Sequence, residues 1–194
     1  PEMTGIEAAW SGDSGEYKLY KNYAREIMGD DIGAIFKLGN LAPGAEVVVK
    51  VGISYVSMEN ARKNLDAEVG TSNFDSVREA AKAKWNEVLG RIRVEGGSED
   101  DRTIFYTALY HSLLHPNIVS DVNGEYPAME SGATGVAAGY NRYTVFSLWD
   151  TYRNVHQLLT LAYPEVQTDM IRSIIGMSQE WGWLPRWELY GRET

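Results

Sequence analysis

The hydrophobic period of this chain changes once, near Ser57, and that change constrains its fold more than any other feature. Glu46 to Ser57, EVVVKVGISYVS, alternates in the manner of a strand: Val47, Val49 and Val51 fall on one face and Val48, Lys50 and Gly52 on the other. Beyond Ser57 the apolar residues recur at helical spacing. The chain therefore reads as strands first and helices afterwards, an α+β order rather than an alternating one.

On the strand side, Gly33 to Leu38 (GAIFKL) and Glu16 to Tyr20 (EYKLY) are further strand candidates, and Ala42-Pro43-Gly44 is a turn. A sheet must bury one face against something, so three strands alone make an unfinished layer. On the helical side, Ser57 to Glu68 reads as a short connecting helix, closed by the Gly70-Thr71-Ser72-Asn73 break. A longer helix starts at Asp75, with Ser76 and Glu79 at capping-box spacing and Val77, Ala81, Trp85 and Val88 on one face, and ends near Gly90. A short strand, Arg91 to Glu95, follows it.

Ser98-Glu99-Asp100-Asp101 opens the next helix with a capping serine and three carboxylates at the positive end of the dipole, and Pro116 stops it. His115 to Thr144 is irregular and holds the hairpin-turn pair Asn123-Gly124. Two helices, Ser147 to Ala162 and Pro164 to Glu180, come next, with Pro164 at a first helical position. The segment Trp181 to Glu188 reads as a loop from its Gly and Pro. Neither half looks finished, and the first residues, PEMTGIEAAW, are not a signal peptide, so the chain is expected to be an internal part of a longer product.

Composition narrows the chemistry. Over 194 residues the formal charge is -9, from 18 Lys+Arg against 27 Asp+Glu, which argues against binding driven by nucleic-acid phosphates. The absence of cysteine removes disulfides, zinc-thiolate sites, iron-sulfur clusters and cysteine nucleophiles. No apolar run reaches the roughly 20 residues that span a bilayer. There is no GxGxxG, P-loop or GxSxG string to support nucleotide chemistry or serine hydrolysis. What stands out is 6 Trp and 12 Tyr, rings with a polar atom, suited equally to packing and to stacking against the flat face of a sugar.

Two clusters pair rings with carboxylates. In Trp149-Asp150-Thr151-Tyr152-Arg153, Asp150 and Arg153 are three apart on a helix, close enough for an ion pair, with Trp149 alongside. In Trp187-Glu188 with Glu193, three Trp lie within seven residues of what reads as a surface loop, and Glu188 is a ligand to substrate or metal or pairs with Arg186 or Arg192. His111 and His115 have zinc-compatible spacing, but no Glu follows in the HExxH manner, so they and His156 read as core or capping residues. The oxygen-rich run Asp121, Asn123, Glu125 lacks the rest of an EF-hand pattern and reads as a turn.

Three longer strings occur in order: FYTALYHSLLHPNIVSDVNGEY from Phe105, then YTVFSLWDTYRNVHQLLTLAYPE, then GWLPRWELYGRET. From about Phe74 to Thr194 the chain resembles the glycoside hydrolase family 92 mannosidases, exo-acting, calcium-dependent enzymes found mainly in bacteria. The resemblance implies the end of an N-terminal β-sandwich over residues 1–57, a connecting segment over 58–73, and the first helices of an (α/α)6-type barrel over 74–194. Such a barrel needs about twelve helices, and only four or five follow Asp75. It also implies attack of water on a terminal mannose with inversion, between two carboxyl groups about 6.5–9.5 Å apart. Those catalytic carboxylates and most calcium ligands are implied downstream of Thr194, so the resemblance assigns no catalytic or metal-binding residue here. It does imply that Trp149 and Asp150 line the mannose subsite, that Arg153 orients Asp150 or touches the sugar, and that Trp187, Glu188 and Glu193 form a second wall. Many members read Gly-Asn-Glu-Thr at Gly191-Arg192-Glu193-Thr194, so nothing carries over to position 192. The implied substrate is a glycan with α-1,2-linked mannose, the implied partner the remainder of the parent polypeptide, and the implied location periplasmic or extracellular in a bacterium. A carbohydrate-binding module on the same scaffold is the alternative.

Overall fold

The computed structural model describes residues 6–13, 16–21, 31–36 and 38–194. The chain divides into two compact units, Pro1–Val49 and Lys50–Thr194. In the first, β1 (Ile6–Asp13), β2 (Glu16–Lys21) and β3 (Asp31–Phe36) form an antiparallel sheet in the order β2-β1-β3. β1 pairs Asp13 with Glu16 on one side and Gly12 with Asp31 on the other, with a register shift between Ile6 and Ala8. EYKLY and GAIFKL are thus strands, the second beginning at Asp31 and ending at Phe36, while the central strand was not legible as one.

The strand expected at Glu46 to Ser57 does not form. Val48, Val49, Val51 and Ile53 are exposed, Val49 to 75%. Alternation marks a segment able to lie on a sheet, but a strand also needs a hydrogen-bonding neighbour, and none runs beside this segment among the described residues.

The second unit opens with α1 (Met58–Glu68), whose first turn is capped by Ser57 accepting from the Asn60 N–H at 3.1 Å. α2 (Phe74–Leu89) is capped by Asn73, accepting from the Ser76 N–H at 2.8 Å, one turn earlier than the Ser76–Glu79 box expected from sequence. α3 (Glu99–Ser112) begins at Ser98 with a reciprocal capping box to Asp101. Arg91–Glu95 forms no strand.

The stretch read as irregular is pleated into short pieces. β4 (Asn117–Ile118) pairs with β7 (Tyr143–Thr144), and β5 (Glu125–Pro127) forms a hairpin with β6 (Thr134–Val136). Asn123-Gly124 makes the expected turn, with Gly124 at φ 85° and Asp121 N–H donating to the Glu125 carbonyl at 2.8 Å. α1 is tied to this turn: Ser54, Asn60 and Asn64 all donate to the Asp121 carboxylate at 2.6–2.8 Å, and Asn60 also donates to Glu125 at 2.6 Å.

The helix expected over Ser147 to Ala162 is two helices, α4 (Leu148–Thr151) and α5 (Val155–Ala162), interrupted at Tyr152–Asn154. α6 (Pro164–Trp181) follows after the single residue Tyr163 and ends at Gly182, which takes φ 93° as a left-handed cap. The core gathers Leu109, Met129, Tyr143, Phe146, Leu159, Tyr163, Met170 and Met177, so α3, α5 and α6 close over the short strands from one side.

Candidate functional site

The segment expected to be a loop after Trp181 is partly strand. β9 (Trp187–Leu189) forms a hairpin with β10 (Arg192–Glu193), and β9 also pairs with β8 (Phe146–Ser147) in the order β10-β9-β8. The register sets Phe146 opposite Glu188 and Ser147 opposite Trp187. Side chains alternate across a sheet, and directly paired residues share a face. Phe146 and Glu188 therefore point into the core, where both are fully buried. Ser147 and Trp187 point outward, and α4 begins at the next residue. Two strings separated by about forty residues of sequence are thereby joined at one edge.

On the outward side Trp149 and Trp187 are exposed, to 69% and 48%, and Asp150 is exposed with them. Asp150 and Arg153 make no ion pair. Tyr152, the cap of α4, keeps helical backbone angles, but the Arg153 guanidinium turns away and lies 5.9 Å from the centre of the Tyr152 ring. The group that orients Asp150 is Ser147. Its hydroxyl donates to Asp150 Oδ2 and accepts from the Trp149 indole N–H at 2.9 Å, locking ring and carboxylate into one arrangement. In the sequence Ser147 stands only as a helix start, and its one signal is a hydroxyl three residues before a helical carboxylate.

Glu188 is fully buried and does not pair with Arg186 or Arg192. Its carboxylate accepts from the Thr144 hydroxyl at 2.8 Å, the Val145 N–H at 3.0 Å and the Gly191 N–H at 2.6 Å. It is a brace inside the sheet, holding Val145 at φ 64° and closing the β9–β10 turn. Glu193 braces the rim: it accepts from the N–H groups of Arg186 and Trp187 at 3.0 and 3.2 Å and pairs with the Arg186 guanidinium at 3.3 Å.

Burial pushes the Glu188 carboxyl above its ordinary value, against the lowering effect of the bonds from Gly191, Thr144 and Val145. An acid with a raised value binds its proton more tightly folded than unfolded. Its contribution to stability is complete below the ordinary carboxylate value and is lost as pH rises through the raised one. Glu188→Gln cannot titrate, and its NH2 confronts N–H donors, so at neutral pH it is expected to destabilise by about 1–3 kcal/mol. The wild-type advantage over Glu188→Gln, measured as thermal midpoints of the complete protein, is expected to be larger near pH ~4 than near pH ~7. A gap that narrows in acid would contradict a raised Glu188.

Other hollows lie apart from this face, among them one of about 400 Å³ lined by Trp85, Arg91, His115 and Tyr163. A cleft of about 270 Å³ behind the hairpin is lined by Tyr55, Glu130, Tyr190 and Arg192, with Tyr55 and Tyr190 stacked at 4.4 Å. An open groove of about 670 Å³ runs along α3, past Glu99, Arg102, Tyr106 and His111. Neither is lined by Trp149, Asp150 or Trp187, which stand on an open face. Among the described residues no three His, Asp or Glu side chains converge as a metal site. Both Asp121 oxygens and Glu125 Oε2 are engaged by amides and a serine.

Comparison with known proteins bears on the same segment. The model of the glycosyl hydrolase family 92 catalytic domain matches residues 60–194. A family GH92 α-mannosidase from Bacteroides thetaiotaomicron is 35% identical, with a TM-score of 0.68 over 72% of this chain and 19% of its own. A family GH92 inverting mannosidase from the same organism is 29% identical, with a TM-score of 0.75 over 94% of this chain and 24% of its own. An uncharacterized secreted glycosidase of Arthroderma benhamiae is 35% identical over 89 residues, 44% of this chain and 11% of that protein. The chain thus spans between a tenth and a quarter of the length of these relatives. With a family match over more than half of its residues, the chain belongs to glycosyl hydrolase family 92.

Proposed function

We propose that this chain is part of an exo-acting α-mannosidase that hydrolyses terminal α-1,2-linked mannose with inversion. The observation that supports this most is the Ser147–Trp187 register, which presents Trp149, Asp150 and Trp187 along one exposed edge. Two rings and an oriented carboxylate are the equipment for holding a pyranose: apolar faces stack on the indoles while Asp150 accepts from neighbouring hydroxyls. The first Bacteroides relative has also been solved in complex with mannoimidazole. Arg153 is exposed beside Tyr152, three residues beyond Asp150, and in this proposal also touches the sugar. Glu188 and Glu193 act behind that surface, keeping β8, β9 and the Arg186–Trp187 segment in register.

The acid that protonates the leaving oxygen and the base that activates water belong, in this proposal, to the remainder of the parent polypeptide. So do the preceding part of a β-sandwich that residues 1–57 end and the completion of an (α/α)6 barrel that residues 74–194 begin. Calcium dependence is proposed for the complete protein only. Asp121 accepts from Ser54, Asn60 and Asn64 and Glu125 from Asn60, and the calcium ligands belong, in this proposal, mostly to the remainder of the parent polypeptide. Export is proposed from the secreted glycosidase relative. No helix among the described residues is long and apolar enough to cross a membrane.

The complete protein is expected to release mannose from α-1,2-mannobiose, and a calcium chelator is expected to abolish that release. No release from a folded sample would reject the enzyme reading in favour of a carbohydrate-binding module. Release that survives the chelator would remove calcium from the proposal.

A further inference from the structure

We infer that His156 is a positioning residue that sets the angle of the sugar-facing turn through Thr151; the inference rests on the function proposed above. The turn in question, α4, has four residues and no side-chain cap bond at its start, too short to hold its own shape. At Asn154 the backbone leaves helical geometry, with φ -146°, so α4 does not continue into α5.

The link that replaces it runs through a histidine. The Gln167 side-chain oxygen, on α6, lies 3.1 Å from His156 Nδ1, and His156 Nε2 lies 2.8 Å from the Thr151 hydroxyl. With Gln167 offering an acceptor, the ring carries its proton on Nδ1, and Nε2 accepts from Thr151. Thr151 has one proton to give, and its only other approach, to the Ser147 carbonyl, is longer at 3.3 Å. A second clamp from α5, Gln157 donating to the Tyr152 carbonyl at 2.8 Å, holds the backbone just beyond. α5 and α6 are anchored by Leu159, Met170 and Met177 in the core. The chain of contacts Gln167–His156–Thr151 therefore refers the position of Asp150, the neighbour of Thr151, to helices anchored in the core.

Small errors in the placement of a binding group are costly in turnover, so the link is expected to matter to rate more than to stability. In the complete protein, His156→Phe, which keeps a ring and removes both nitrogens, is expected to lower kcat/KM on α-1,2-mannobiose about tenfold. If His156 acts through Asp150, combining His156→Phe with Asp150→Ala is expected to be no worse than Asp150→Ala alone. A general structural role would instead give losses that multiply. Thr151→Val, which removes the hydroxyl at nearly constant volume, keeps the test open if His156→Phe fails to fold, and is expected to show the same tenfold loss and the same non-additivity. Multiplying losses, or unchanged kinetics in both single variants of an active protein, would overturn the inference. A folded wild-type protein with no activity would overturn the proposed function first.

Discussion

Asp150→Ala in the complete protein is expected to reduce turnover of an α-mannoside by two orders of magnitude or more. Asp150 is exposed, and Ser147 occupies its Oδ2, which leaves Oδ1 to meet sugar hydroxyls. Hydroxyl contacts that tighten as the ring flattens toward the transition state lose on the order of 3 kcal/mol when deleted, about a hundredfold in rate. The loss is expected mainly in kcat. A contact equal in ground and transition states would raise KM alone. Because Asp150 is a surface residue in a four-residue helix, the thermal midpoint is expected to stay close to that of wild type. Unchanged kcat/KM in a folded variant would remove Asp150 from the site. Ser147→Ala offers a graded companion: the carboxylate remains, but its tether and the indole's acceptor are lost together.

Why Ser147 and not Arg153 orients Asp150 shows where the sequence is legible. Local rules read well. Ser57 and Ser98 cap the helices expected of them, Pro164 starts α6, and Asn123-Gly124 turns the chain, because each depends on a few adjacent residues. Non-local facts did not read. The alternation of Val47, Val49 and Val51 describes a face, but whether that face finds a sheet is decided by chain far away. Conversely, Ile6–Asp13 is rich in small residues and shows no clean alternation, yet it is the central strand of its sheet. The break at Tyr152–Asn154 has no Pro or Gly to announce it, so helical periodicity ran through it and implied an Asp150–Arg153 pair that the geometry denies. Glu188 is the sharpest case. A carboxylate beside tryptophan reads as surface, and only the pairing of Phe146 with Glu188 reveals that it points inward.

The second large effect is expected at the buried charge pair of Arg142 and Glu180. Arg142 is almost wholly buried; its Nη2 donates to Glu180 Oε2 at 2.8 Å, and its guanidinium lies 4.3 Å from the centre of the Tyr126 ring. Glu180 also accepts from the Tyr126 hydroxyl at 2.7 Å and the Met129 N–H at 2.8 Å. One carboxylate on α6 thus ties down the β5–β6 hairpin, and burial together with that bond pushes the Tyr126 phenol well up. Gly176 is part of the design, since a Cβ there would lie 2.3 Å from Arg142 Nη1, the one buried polar side-chain atom without a partner among the described residues. Glu180→Leu would strand the cation, a change that costs about 3–5 kcal/mol when the pair is dry. Because Glu180 is 18% exposed, the lower end, about 3 kcal/mol, is expected. Removing both charges, as Arg142→Met with Glu180→Leu, is expected to recover part of that loss. It cannot recover all of it, since the Tyr126 hydroxyl and Met129 N–H stay unpaired in both variants. Calorimetry of the complete protein reads the two midpoints. A Glu180→Leu midpoint at or above that of the double variant would show that the stranded guanidinium escapes to water, and that the pair is not what holds the hairpin to α6.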